Sequence, residues 1–460
     1  MTDCPVSSSE SIPSLMAGFL ALALIAFTAC GGRETPPAHT AGPAASLFAS
    51  SRAPAVGFHG TVGFQLTQNT IQLNAQLGPA SPTRTFVLDS GAPMTISPRL
   101  ANALQLPALA QVALLGPESG RRSVDVVRLP QLVVAGLPFR EVAAVVDWVE
   151  PPSPVACLST EGLLGANLLQ AAIWQIDFEK KQVTLTDRLQ SLPGLERAMK
   201  IPFERGDASG SPRIDVGVSD AEHVSLLVDL GFNGGIAIPA ALFERTGNRV
   251  PPDAPTEIGT PASTVFGGAA SVVHLGRLRG LRIGALRLRD FPVVTGDTVS
   301  DFHVGVDFLR HFRVTLDWQN DDLYLERRGP ERALYPDYAS YGFNPQLKEG
   351  ALVVGALWRG SAAERAGLRL GDRVLAIDER QTGSPDFPLL CAVLDEIGSF
   401  GRNAAPIEVT VLHDDGPLTV TLVRAPLLVH PAVRDPAPRG LGGVSAKERT
   451  PRGSGRGPKK

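Results

Sequence analysis

Between positions 61 and 146 the chain alternates apolar and polar residues, or runs apolar for a few positions, and then breaks at Gly, Pro or Asn. TVGFQL (61–66), IQLNAQL (71–77), TRTFVL (83–88), VVRLPQLVVAG (126–136) and EVAAVV (141–146) each carry the period-two or short all-apolar pattern of a strand. RLANALQL (99–106) is the one segment there with helical spacing. The theme returns in KIPFER (200–205), RIDVGV (213–218), HVSLLV (223–228), VVHLGRL (272–278), LRIGALRL (281–288) and FPVV (291–294), with PAALFERTG (239–247) as the matching helix. The pattern predicts two small, mainly β lobes with few helices.

The two halves share landmarks. Asp89 in VLDSG and Asp229 in LVDLG stand 140 positions apart, as do Gly165 in GLLGANLL and Gly305 in FHVGVDFL, and Asp177 in WQIDF and Asp317 in VTLDW. Gly136 and Gly284 match at an offset of 148, a drift that a loop of different length explains. A duplicated unit follows, with lobes at 56–192 and 193–330.

After position 330 the pattern changes. GALVVGALWRGSAAERAGLRLGDRVLAIDER (350–380) and FPLLCAVLDEIG (387–398) no longer repeat the lobe pattern and mark a further domain. Cys391 lies on the apolar face of the second segment and reads as a small core residue. A bridge to Cys157 would have to join separate domains, so none is expected.

Composition narrows the function. With 43% hydrophobic and 19% charged residues the 460-residue chain is globular, and a net charge of -3 argues against nucleic acid as a partner. The exception is 431–460, where eight basic residues against two acidic ones stand among Pro and Gly, the composition of a disordered tail. His223, His274, His303 and His311 have no metal spacing and read as structural or surface residues; no metal or cofactor is expected. The apolar run 15–29 is too short to span a bilayer but suits an export signal.

That run ends in FTAC, followed by Gly31-Gly32, and resembles a bacterial lipoprotein signal, although Phe27 replaces the usual Leu and no Lys or Arg precedes it. The resemblance implies a signal peptide over 1–30, lipidation of Cys30, a flexible tether over 31–55, and a protein anchored by lipid in the bacterial envelope. FVLDSGA, LLVDLGFNGG, the LLG and HVG elements and the trailing IDF and LDW strands resemble the bacterial retropepsin-like aspartic peptidases, in which two pepsin-type lobes lie in one chain. What this implies is a catalytic dyad of Asp89 and Asp229, each on a tight loop, acting on a polypeptide substrate. Ser90, Gly91 and Gly231 support it: the glycines leave room for the facing loop, and the Ser90 hydroxyl can bond across to the other lobe. Two carboxyl groups so placed share a proton, one serving as base and the other as acid, for which aspartic proteases are the standard example.

Each lobe of such an enzyme can contribute a hairpin over the cleft, here around 115–120 and around Phe266 and Gly267, with Phe266 in reach of substrate. The GSAAERAGLRLGDRVLAID segment resembles a bacterial PDZ domain, which implies an α+β domain over 335–424 and a peptide or protein ligand held beside Tyr341, Gly342 and Phe343 and the helical Leu390 and Leu394. One feature departs from the peptidase pattern: Leu230 stands where Thr or Ser is usual, and Phe232 where the residue is small. It motivates an alternative, a non-catalytic peptide-binding protein on the same scaffold.

Overall fold

The computed structural model describes residues 43–428 except 79–80, 117–119, 220–221, 261–270, 383–385, 402 and 414–415. The export signal with Cys30, the tether up to residue 42, the tips of both candidate hairpins, Phe266 and Gly267 included, and the basic tail lie outside the described residues.

The chain is mainly β, and strand pairing repeats between the halves residue for residue. In the first lobe Arg84–Leu88 runs parallel to Gly162–Leu164, with Val87 opposite Leu163. In the second, His223–Val228 runs parallel to His303–Val304, with Leu227 opposite His303. Thr95–Ile96 and Ile236–Pro239 close the two arrangements by pairing antiparallel to those short strands. The sequence repeat is therefore a repeat of topology. Both predicted helices form, at Pro98–Ala103 and Ala240–Arg245; the first is capped by Ser97, whose hydroxyl accepts from the Leu100 amide.

The lobes join through a six-stranded sheet. Its central pair is Ile173–Asp177 against Phe312–Asp317, flanked on one side by Gln182–Thr186 and His59–Gly63 and on the other by Asp322–Arg327 and Met199–Arg205. Gln175 lies opposite Thr315, its own repeat partner, and donates to that hydroxyl at 3.0 Å, so a local two-fold axis passes between them. Trp174 and Trp318 are buried in the apolar core that runs through both lobes. Arg313, also buried, clamps the seam by bonding Asp177 at 2.9 Å and Glu326 at 2.8 Å. Burial alone would push the Asp177 carboxyl up; the Lys180 amide and the Arg313 guanidinium outweigh it and hold the group below the usual carboxylate range.

The C-terminal domain has its own core, built from Tyr341, Phe343, Val354, Leu390, Val409 and their neighbours under a mixed-length antiparallel sheet and the helix Phe387–Ile397. It is tied to the lobes in two ways. The second-lobe strand Thr256–Gly259 pairs with Ser271–Ile283 on one side and with Ala351–Trp358 of the C-terminal domain on the other. Glu257 of that strand is 2% exposed and accepts from Asn344 Nδ2 at 2.6 Å; burial pushes its carboxyl up to about 8, more than the Asn344 bond lowers it, so it is uncharged at neutral pH.

The second tie overturns an expectation. Cys157 and Cys391 form a disulfide, with Cα atoms 5.3 Å apart. The expectation failed because it took the domains as separate, whereas the helix Phe387–Ile397 packs against the first-lobe turn Pro154–Cys157 and brings the two thiols together. The bridge spans 234 residues of sequence, so it removes much of the freedom of the unfolded chain. Replacing both residues by Ala should lower the unfolding free energy by roughly 2–5 kcal/mol. Denaturant unfolding measures this, and an unchanged midpoint would show that the bridge adds nothing to the fold.

Candidate active site

Each Asp stands one residue beyond a central strand. The Asp89 amide donates to Leu164 O at 3.0 Å, and the Asp229 amide to Val304 O at 2.9 Å, the same bond 140 positions on. The chain then turns sharply enough that the carboxylate caps its own loop. Asp89 Oδ1 accepts from the amides of Gly91 (2.7 Å) and Ala92 (3.1 Å), and Asp229 Oδ1 from those of Gly231 (2.8 Å) and Phe232 (3.1 Å). Oδ2 of each has no partner outside the pair among the described residues, and the two carboxyl groups bond each other.

The two loops face each other. A Cβ added to Gly91 would fall 2.7 Å from Asp229 Cγ, and one added to Gly231 would fall 2.4 Å from Asp89 Cγ. Any side chain at either position would therefore collide with the opposite carboxyl, which is why both are glycine. The structure thus brings together Asp89, Asp229, Ser90, Gly91 and Gly231.

Electrostatics couple the two carboxyl groups. Both are wholly buried. Burial pushes Asp89 up to about 7, against the lowering pull of its two loop amides. Asp229 is raised well above the usual range by burial and then by the charge of Asp89. Each loop gives its carboxyl two amides at matching distances, so the pair titrates as a unit and holds a proton well above the ordinary carboxylate range.

The support around the dyad is one-sided. Ser90 Oγ donates to Val228 O at 2.6 Å and accepts from the Leu230 amide at 2.9 Å, so a first-lobe hydroxyl fastens the second-lobe loop. Leu230, wholly buried in the shared core, returns no such bond. Phe232 turns its ring away from the dyad into a cluster with Leu275, Val294 and Trp358, edge-on to His303 at 4.2 Å. His303 is buried with neither ring nitrogen bonded, and burial pushes it down to about 4, so it is neutral.

Several residues that hold the site had no signal of their own in the sequence. Asn69, with φ 57° at the tip of the Gln65–Thr67 and Thr70–Gln76 hairpin, donates to Asn233 O at 3.3 Å and to Asp307 Oδ1 at 3.0 Å, pinning the second Asp loop from the first lobe. Asn167 accepts from the Met94 amide at 2.6 Å and donates to Ala143 O at 2.9 Å. An Asn in a tight turn between two strands marks the hairpin; nothing local marks what the hairpin touches.

The five positions named in the C-terminal domain are mostly interior. Tyr341, Phe343 and Leu390 are at most 1% exposed. Tyr341 donates to Ala405 O at 2.6 Å, and the Gly342 amide donates to Ser340 Oγ at 3.0 Å. Leu394 lines a cavity. Among the described residues no cluster of His, Cys, Asp and Glu is arranged to hold a metal ion.

Ser90→Ala should strand Val228 O and the Leu230 amide in the interior and cost about 1–3 kcal/mol in thermal or denaturant unfolding. Leu230→Thr places a hydroxyl where the repeat would aim it at Leu88 O and the Ser90 amide, and should leave stability within about 1 kcal/mol of the parent because the new bond offsets the lost apolar contact. Equal stability of Ser90→Ala and the parent would contradict the cross-lobe role.

No protein-family model matches the chain, and no curated protein sequence does. Among solved structures it is similar to the aspartic proteinase from Irpex lacteus, at 14% sequence identity and a TM-score of 0.38, over 61% of this chain and 100% of that one.

Proposed function

We propose that the chain is an aspartic endopeptidase. The observation that carries this reading is the meeting of two carboxyl groups on equivalent loops of a duplicated fold, with one oxygen of each left to the other and to a water. In this reading the ionised carboxyl, assigned to Asp89, takes a proton from a water molecule as the water oxygen attacks the peptide carbonyl carbon. Asp229 gives its proton to the carbonyl oxygen. The tetrahedral intermediate then collapses: the C–N bond breaks, the amine leaves with a proton, and the dyad regains its single shared proton.

The C-terminal domain is proposed as a PDZ-type module that binds a peptide or protein; its strand Phe343–Lys348 beside the helix Phe387–Ile397 supports this. Export and lipid anchoring through Cys30 are proposed from the N-terminal segment, and a disulfide suits an oxidising envelope. A second reading, binding without catalysis, is favoured by one observation: Leu230 leaves the Asp229 loop without its own cross-lobe hydroxyl.

Asp89→Asn should reduce cleavage of an unstructured polypeptide at least about a hundredfold, the scale of a lost general base. The pH profile follows from the two carboxyl groups. Hydrolysis needs Asp89 ionised, so its rate should rise through about pH 7, and it needs Asp229 protonated, so it should fall again at alkaline pH. Equal cleavage by parent and variant removes the peptidase reading and leaves the binding protein.

A further inference from the structure

The C-terminal domain is fastened behind both Asp loops, and the two fastenings differ in kind. On the second-lobe side, besides the chain linker itself, the contacts are non-covalent. Thr256–Gly259 pairs with Ala351–Trp358, and Trp358 shares a cluster with Phe232, whose amide donates to Asp229 Oδ1 at 3.1 Å. On the first-lobe side the helix Phe387–Ile397 is held covalently, through Cys391, to Cys157 at the end of the turn Pro154–Cys157. Val155 and Leu158, on either side of that turn's end, are buried in one cluster with Val87, Ala92 and Trp148. Val87 and Ala92 bracket Asp89, and the Ala92 amide donates to Asp89 Oδ1 at 3.1 Å. Gln72, opposite Val87 in the neighbouring strand, donates to Leu158 O at 2.5 Å. The bridge is thus attached to the packing directly behind the first Asp loop.

We propose that the Cys157–Cys391 bridge is a redox modification site, opened by a dithiol reductant and closed by oxidation, and that its state sets how firmly the packing behind Asp89 is held. Neither cysteine is sealed in a core: both are half-buried, where the turn meets the helix, so a thiolate can reach the bridge. One thiolate of the dithiol attacks a bridge sulfur, and the S–S bond breaks to give a mixed disulfide and one cysteine thiolate. The second thiolate of the dithiol then displaces the other cysteine. The reductant leaves as its own disulfide, two electrons pass to the protein, and each cysteine takes up one proton. The product stays folded, because the lobes and the C-terminal domain have separate apolar cores on the two sides of the bridge. Reduction therefore undocks the helix from the turn while the second-lobe fastening stays. Only the consequence for hydrolysis rests on the peptidase reading.

The site is tested on the full chain with dithiothreitol under native conditions, with free thiols trapped by iodoacetamide and the Cys157 and Cys391 peptides identified by mass spectrometry. Both thiols should appear without denaturant and disappear again on reoxidation. Hydrogen exchange of the reduced protein should rise in 154–158 and 387–397 and, through the shared packing, in 87–92, and stay unchanged in the central strands Ile173–Asp177 and Phe312–Asp317. Thiols that appear only in denaturant, or exchange that rises throughout the chain or nowhere, overturn the site and leave a purely structural bridge. The double variant Cys157→Ser, Cys391→Ser should exchange like the reduced wild type and ignore dithiothreitol. Hydrolysis of an unstructured polypeptide should fall roughly tenfold on reduction, the scale of a small displacement of a reacting group, and return on reoxidation. An unchanged rate with the turn freed discards the coupling to Asp89 and keeps the redox site. A wild type that hydrolyses nothing in either state removes the peptidase reading, and the exchange at 87–92 then decides the coupling.

Discussion

Everything in this molecule depends on the antiparallel pairing of Ile173–Asp177 with Phe312–Asp317. Because Gln175 meets its own repeat partner, Thr315, the register sets a local two-fold axis, and that axis determines what else can meet. Two strand ends that carry Asp in each lobe are then brought face to face across a gap only glycine can line. A shift of this register by one residue would part Gln175 from Thr315 and move the carboxyl groups out of opposition. The buried Arg313, bonded to Asp177 and Glu326, guards the same register with charge.

The repeat makes the frame symmetric, and the second lobe departs from that symmetry where it meets the third domain. Where the first loop carries Ser90 and Ala92, the second carries Leu230 and Phe232. One is packed in the common core and the other turned toward Trp358. The Asp229 loop has thus exchanged a polar, cross-lobe attachment for apolar contacts, some of them to the C-terminal domain. Asn69 and Ser90 from the first lobe restore part of the polar hold. Burial acts on both carboxyl groups, and the charge of one favours the proton on the other, so the pair keeps one proton well above the ordinary carboxylate range.

The strands, the repeat and the Asp pair were legible in the sequence because each is encoded locally: period-two alternation, a fixed offset of 140 positions, and a turn that needs Asp and Gly next to each other. Both helices were legible through their apolar spacing. The contacts between domains were not. Cys391 on an apolar helical face reads as core in any isolated domain, and only docking turns it into half of a bridge to Cys157. The pairing of Thr256–Gly259 with Ala351–Trp358 likewise uses backbone groups, which carry no residue signature. Glu257 would pass for a surface residue, since nothing beside it in sequence reveals that Asn344 and a low-dielectric interface await it.

The central claim is that Asp89 and Asp229 face each other and hold one proton between them near neutral pH. The most direct test is the infrared difference spectrum between the wild type and Asp229→Asn, recorded just above neutral pH in the carbonyl-stretch region of a neutral carboxylic acid. The account predicts one protonated carboxyl band in the wild type that the variant lacks. A spectrum showing only ionised carboxylate at Asp229 would contradict it.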